Sequence, residues 1–336
     1  MSSEKKSRAR KPKTPKNTAA SLLAAIKFVS IAQRNEGTTY QTHCALYDNY
    51  LSAFDGAIAA GCKAEAPNCC PHTLKALAAL SRCGEEAAIN LTENGRLSVK
   101  SGAFRALIPC VNFEDVIYSG PDEPIGPLSS ALVKAFELVA PLCTQDAQEV
   151  YMAAILFSEG SIIASNGAVL FEVWHGLNLP PGLLMPKAAV SAVIKANKPL
   201  AHFGYAPGKS FTFWFEDESW IKTQLYDAEY PNVYEILNQK TNAWPIPAGF
   251  YDAVDAVVPF SENDSVYFAE SAIVSHKDSE ISTSYLVPGL PSGSIFAGKY
   301  LKMLQSVAER IDFATYPSMA YFFGENVRGV VMGKTV

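Results

Sequence analysis

The residues nearest to a chemical constellation are Cys62, Cys69, Cys70, His72 and Cys83. Thiolates and an imidazole are the donors zinc prefers, but the Cys-x-x-Cys pairs that build most structural zinc sites are absent. Ordinary reduced thiols are the competing reading. All seven cysteines (the other three are Cys44, Cys110 and Cys143) fall before residue 144. Their odd number and the lack of a secretory leader predict a cytoplasmic chain without disulfides. The five histidines are scattered. No Gly-x-x-x-x-Gly-Lys-Ser/Thr phosphate loop, His-Glu-x-x-His helix or Gly-x-Ser-x-Gly elbow occurs. The expectation is a protein that is not an enzyme and holds neither metal nor cofactor; a site assembled from scattered Cys and His ranks last.

Charge is the second chemical signal. The first sixteen residues carry seven Lys or Arg against one Glu, a segment of +6 in a chain of net charge −5, so the body is −11. This segment, 1–18, has no apolar run, so it is neither a signal peptide nor a membrane span. It reads as a disordered basic tail that touches nucleic acid or merely aids solubility. In the body, basic residues sit on candidate helices: Lys27, Arg34, Lys75, Arg82, Lys134, Lys187, Lys195, Lys198, Lys299, Lys302 and Arg310. They are either solvated helix faces or a sparse cationic lining for a polyanion. Asp252 and Asp255 run against the second reading.

The elements that must position these groups recur with a period of roughly 110 residues, long enough for whole domains. Each copy runs amphipathic helix, short strands, second helix, more strands. In the first, LLAAIKFVSIAQR (22–34) places apolar residues at helical spacing, 43–61 alternates as strands, and 70–84 gives the second helix. Strands around Glu93-Asn94-Gly95 follow, and the copy closes at FEDV, 113–116. The second copy has helices at 128–143 and 184–198, strands at 149–174 and 210–233, and closes at YPNV, 230–233. The third has helices at 247–260 and 296–311, with strands at 265–287 and at the end. Asp55-Gly56-Ala57-Ile58 corresponds to Asn166-Gly167-Ala168-Val169, each a turn into a strand; the third copy lacks that glycine. Proline-bearing linkers at 118–127 and 238–247 separate units at 19–120, 128–238 and 247–336, after the tail 1–18. The fold class is α+β.

YMAAILFSEGSIIASNGAVL, YDAEYPNVYEIL and FAGKYLKMLQSV stand in an order and spacing that resembles the bacterial DNA polymerase sliding clamp, the polymerase III beta subunit. They are similar to that family's T-D-G-H-R-L strand pair, its F-P-D-Y signature and its third-domain F-N-x-x-Y-L helix. The ending VVMGKTV matches the position of the family's V-M-P-M-R-L terminus. The resemblance spans residues 20–336 and is weakest in the first copy. It implies three clamp domains, each with two helices on an inner face and antiparallel sheets outside. Two chains would close a ring around double-stranded DNA as a homodimer, pairing sheet edges that otherwise stay exposed.

The resemblance further implies a processivity factor that tethers DNA polymerase and an ATP-dependent clamp loader through short linear motifs. The helix lysines above, with Arg34, Arg82 and Gln145, would then face DNA through few, unspecific phosphate contacts that permit sliding. A partner-peptide pocket would be lined by Met152 on a strand, Leu170, Pro231, Ile236, Tyr300, Val331 and Met332; ordinary core positions are the alternative. The family's His-Arg pair is here Ala168-Val169, its helix asparagine is Ala297, and its ending is Gly333-Lys334-Thr335-Val336. A changed polar rim implies a different partner motif, as suits a phage-encoded or otherwise divergent clamp with its own polymerase. The rival reading is a clamp-like protein that does not encircle DNA and competes for clamp partners.

Overall fold

The computed structural model describes residues 19–84, 87–144, 147, 149–277 and 281–335. The basic tail 1–18 therefore lies outside the described residues. The chain divides into two units, one of residues 1–121 with 214–222, the other of 122–213 with 223–336.

In the first unit, helix α1 (Ala19–Val29) buries Leu22, Ala25, Ile26, Phe28 and Val29, the stripe that the sequence spacing predicts. It packs against α2 (Thr73–Leu80) and against β2 (Tyr50–Phe54) and β3 (Ile58–Lys63), which with β1 (Ala45–Tyr47) pair antiparallel in the order β1-β2-β3. A short pair, β4 (Cys70–Pro71) with β8 (Cys110–Val111), flanks the three-stranded sheet β5 (Ala88–Leu91), β6 (Leu97–Ser101) and β7 (Phe104–Ile108). Strand β7 is an edge of that sheet.

The second unit starts with β9 (Gly126–Pro127) and α3 (Ser130–Val139), whose cap Ser129 accepts from the Ala131 amide at 3.3 Å. Strands β10 (Ala154–Phe157), β11 (Ser161–Ser165), β12 (Val169–Trp174) and β13 (Leu184–Pro186) follow, then α4 (Lys187–Ala196), which packs on α3. After β14 (Leu200–Ala206), β15 (Ser210–Phe215) and β16 (Trp220–Gln224), of which residues 214–222 count to the first unit, come β17 (Trp244–Pro245) and helix α5 (Phe250–Val257). The rest is β18 (Ser265–Ala269), β19 (Ala272–Val274), β20 (Ser284–Leu286), β21 (Ile295–Ala297), α6 (Gly298–Met303), β22 (Arg310–Asp312), β23 (Met319–Phe323) and β24 (Val327–Met332). Helices α5 and α6 pack together as α1 does with α2 and α3 with α4. Eight strands of this unit join in the order β13-β10-β11-β12-β24-β23-β22-β17, and four more in the order β20-β19-β18-β21. Clustered rings fill the cores: Phe136, Phe157, Phe211 and Phe213 in one place, Phe250, Phe268, Phe296 and Phe313 in another.

One backbone turn recurs in all three copies although its sequence does not. Asn49, Gly160 and Ser271, 111 residues apart, each hold a left-handed φ of 61°, 70° and 53° at the same strand-to-strand turn. The Asp55 side chain accepts from the amides of Ala57 and Ile58 at 2.9 and 2.8 Å; Asn166 accepts from Ala168 and Val169 at the same two distances. Gly56 and Gly167 follow with φ of 104° and 84°, a conformation that glycine adopts without strain.

Three predicted helices are too long. Residues 70–71 are β4, so α2 begins at Thr73; Leu184–Pro186 is β13, paired with β10, so α4 begins only at Lys187. Phe296 pairs with Val266 and Arg310 with Phe323, which leaves α6 six residues of the predicted sixteen. In each case a buried strand runs straight into a helix, and a continuous apolar run does not reveal the change of period.

Candidate functional site

Strand register determines what the second unit offers a partner. Cross-strand partners share a face. Leu156 lies opposite Ile163, Leu170 opposite Val330, Val330 opposite Tyr321 and Met332 opposite Met319. On this face Ile163, Leu170, Val330 and Tyr321 join Val233 and Leu237 in one buried cluster. Half-buried Leu156, Tyr230, Tyr234, Ile236, Met319 and Phe323 pack around it. A cluster whose rim is built of Met, Tyr and Ile can repack around the aliphatic or aromatic side chain of a bound peptide.

A buried ion pair fixes that face. Glu172, 3 % exposed, accepts from Arg328 Nε at 2.7 Å and from the Ser161 hydroxyl at 2.8 Å. Arg328 Nη1 also donates to the Leu237 carbonyl at 3.2 Å, so one guanidinium ties β12 and β24 to the turn Tyr234–Leu237. Beside it Gly329 lets the strands approach, since a Cβ there would fall 2.0 Å from the Leu170 carbonyl oxygen and 2.5 Å from the Phe322 ring.

Of the seven predicted pocket residues, Leu170 and Ile236 join this cluster. Val331 does not: one residue along β24 from Val330, it faces the opposite side and is fully buried, so the wall is Val330. Met152 lies in the single turn Val150–Ala153, not on a strand, with its methyl group over Gly167. Pro231 is exposed beside the buried Val233. Tyr300 and Met332 line a separate hollow of about 350 Å³ with Ala168, Asp264, Lys299 and Lys334.

Among the predicted DNA-facing residues, Lys27, Arg34, Lys75, Arg82, Lys134, Lys195 and Lys299 are exposed, and Lys187, Lys198 and Lys302 are half-buried. Gln145 lies outside the described residues. Three have partners that reduce their reach: Arg34 stands 3.9 Å from Asp55, Lys187 donates to the Cys143 carbonyl at 2.5 Å, and Lys302 pairs with Asp255 at 2.5 Å. Asp255 therefore opposes a cationic lining directly.

By sequence the chain matches no family model and no curated protein. By structure it is similar to the DNA polymerase sliding clamp of Pseudomonas aeruginosa, with a TM-score of 0.81 over 95 % of this chain and 98 % of that one, at 13 % identity. The sliding clamp of Caulobacter crescentus gives 0.79 over 95 % and 98 %, at 16 % identity. The beta clamp of Helicobacter pylori, in a structure bound to a DNA ligase peptide, gives 0.76 over 94 % and 98 %, at 15 % identity. This chain has the sliding-clamp fold.

Leu170 and Ile236 are the two cluster residues that the sequence predicts; the rest of the cluster and the residues that hold it are not among the predicted ones. Val233, Leu237, Tyr321 and Val330 look like any core residue in a one-dimensional pattern. Glu172 and Arg328 carried a visible signal, a lone charge inside each of two otherwise apolar strands. The hollow at Tyr300 is where this clamp-fold chain carries Ala168, Ala297 and Gly333.

The cysteines do not converge on a metal. Cys62 lies on β3 with its thiol toward the Ala25 carbonyl, and Cys83 turns back to Ala79 at the end of α2. His72 lies against His43, ring centroids 5.0 Å apart. Among the described residues no group of three or more Cys, His, Asp or Glu is placed to hold an ion. The Cys110 thiol is pulled down to about 7 by its contact with Cys69, whose own thiol is pushed up by the same contact and by burial.

Proposed function

We propose that this protein is a sliding clamp: a non-catalytic processivity factor that encircles duplex DNA as a homodimer and tethers a DNA polymerase, and other partners, through short linear peptides. The observation that carries the reading is the structural likeness to sliding clamps over 95 % of the chain. The three domains are 19–120, 128–238 and 247–336. Encirclement replaces dissociation by sliding and keeps the polymerase at high effective concentration near the primer end. An ATP-dependent loader would open the ring. The protein would act in the cytoplasm of a bacterium, or of the host if a phage encodes it.

Two features support ring closure. Among the described residues, strand β7 of the first unit is a sheet edge with Arg105 and Leu107 exposed, and β20 of the second is a sheet edge with Tyr285 and Leu286 exposed. Such edges seek a partner strand, and a head-to-tail dimer would pair one with the other. The peptide site would be the Leu170–Val330 cluster with the hollow at Tyr300, and its altered rim would select a motif unlike that of an ordinary bacterial clamp. No helix among the described residues is long and apolar enough to cross a membrane.

Size exclusion with light scattering is the first test. Twice the 36.3 kDa chain mass, followed by retention on nicked circular DNA and loss on linearising it, is the expected result. A monomer that never stays on circular DNA would favour the second reading, a clamp-fold protein that competes for clamp partners without encircling DNA. The Lys302–Asp255 pair, which neutralises a helix lysine, is the observation on that side.

A further inference from the structure

The first copy holds a groove at the place where the second holds its apolar cluster. The groove encloses about 470 Å³ and is lined by Ala45, Tyr47, Asp48, Tyr50, Ser52, Phe113, Val116 and Tyr118. By the 111-residue repeat, Ala45 and Ser52 stand where Leu156 and Ile163 stand; by the closing motifs, Phe113 and Val116 stand where Tyr230 and Val233 do. Two small residues thus leave open what Leu and Ile fill. The aromatic wall persists, with Tyr47 and Phe113 in edge contact at 5.6 Å. Tyr47 and Tyr118 are 63 % and 66 % exposed, and Ile117 is exposed beside them. An apolar, aromatic patch of this kind on one face marks a binding surface.

Asp48 lines the groove, and Glu114 and Asp115 lie in the chain between its wall residues Phe113 and Val116; all three are exposed, and Asp115 also accepts from the Asn112 amide. Lys63, opposite Tyr50 across the sheet, already pairs with Glu218. The chain also supplies an unaccounted segment of opposite charge. Residues 1–18 carry the +6 described above, and Pro12 and Pro15 stand three apart with Arg10, Lys11, Lys13 and Lys16 around them. Prolines at that spacing share one face of an extended segment and dock against aromatic side chains.

Connection also favours this occupant. Gln33, just past α1, donates to the Phe54 carbonyl, and Ala25 lies against Cys62, which pairs with Leu51. Going back along α1, Ala19 therefore projects toward the Tyr50 end of the sheet. Leu51 and Cys62 face α1, so Tyr47, Tyr50 and Ser52 lie on the sheet's other face, and a segment entering the groove from Ala19 has to pass around that end. Eighteen residues span up to about 60 Å when extended. From charge, composition and attachment we infer that this groove takes the protein's own basic N-terminal segment. Nucleic acid, which also attracts a basic segment, is a competitor.

Hydrogen exchange on the full chain and on a chain lacking residues 2–16 tests this. The amides of 47–50 and 113–118 are expected to exchange about fivefold faster or more without the segment. Glu114→Lys with Tyr118→Ala, both at exposed positions, should give the same acceleration with the segment present. Raising salt from about 0.1 M to about 1 M should accelerate exchange there in the full chain only, as screening shortens. Unchanged exchange in all three would overturn the inference. Protection that grows with protein concentration would assign the groove to another copy's segment, and protection only in the presence of duplex DNA would assign the segment to phosphate; either result overturns it as well.

Discussion

Copies one and two use the same strands for opposite ends, and the contrast is clearest at one position. Glu172 of β12 corresponds, 111 residues earlier, to Gly61 of β3. In the second copy the carboxylate meets Arg328, and the guanidinium pins the turn that covers the apolar cluster. In the first, the Trp220 indole lies on Gly61, so close that a Cβ there would come within 2.6 Å of the ring, and its N–H bonds the Tyr50 hydroxyl. One copy anchors this sheet face by a charge pair, the other by an aromatic plate over a bare backbone. Where the anchor is polar the neighbouring cluster is full, with Leu156 and Ile163; where it is aromatic the neighbouring site is open, with Ala45 and Ser52. Backbone repetition thus preserved the scaffold while side-chain volume decided which face is core and which is groove.

The largest effect should come from breaking the polar anchor. Arg328→Ala leaves Glu172 buried with a single hydroxyl donor, and stability should fall by about 3–5 kcal/mol. The midpoint of urea unfolding would drop at unchanged slope. Replacing both partners by Met should recover most of the loss, because no unpaired charge then remains. A loss below about 1 kcal/mol in Arg328→Ala would mean that the turn Tyr234–Leu237 is held by its apolar contacts alone.

The matching change in the first copy is Gly61→Val. Its side chain must displace the fully buried Trp220 ring, and overpacking of this kind costs about 1–3 kcal/mol. Tryptophan fluorescence should shift toward that of an exposed indole. If stability is unchanged, the indole swings aside freely and the aromatic anchor is not an anchor.

Converting one copy toward the other is a gentler test. Ala45→Leu with Ser52→Ile should occupy part of the 470 Å³ groove and raise stability by about 0.5–2 kcal/mol, as cavity filling does. The same double change should erase the effect of deleting residues 2–16 on hydrogen exchange at 113–118. A loss of stability would show that Tyr47 and Tyr118 do not leave room for the larger side chains.

Sequence carried the three-copy order well, and for a physical reason. The Asx turns at Asp55 and Asn166 and the amphipathic stripes of α1 and α3 are local devices, visible within a dozen residues. The apolar cluster was legible only in part, because its membership depends on register. Val330 and Val331 are the same residue type side by side, and only pairing with β12 decides which of them faces Leu170. The groove in the first copy was invisible because small residues such as Ala45 and Ser52 carry no signal until the ring of aromatics around them is assembled. Helix ends were misjudged for a related reason: at Leu184–Pro186 and Ile295–Ala297 a buried strand abuts a helix without a polar break.

The third copy sharpens the contrast with the smallest change. Lys302 on α6 pairs with Asp255 on α5 at 2.5 Å, both partly exposed, and such a pair stabilises by only about 0.2–1 kcal/mol. Asp255→Ala should therefore barely move the unfolding midpoint. It should, however, release a lysine on the helix pair that corresponds to α1–α2 and α3–α4. If those helix pairs face duplex DNA, one more phosphate contact steepens the dependence of log affinity on log salt by about 0.9. Affinity for a closed circular duplex, measured between about 50 and 200 mM salt, would resolve that change. An unaltered slope would mean that Lys302 never meets a phosphate, and it would separate the third helix pair from the first two as an acidic face that serves protein partners instead.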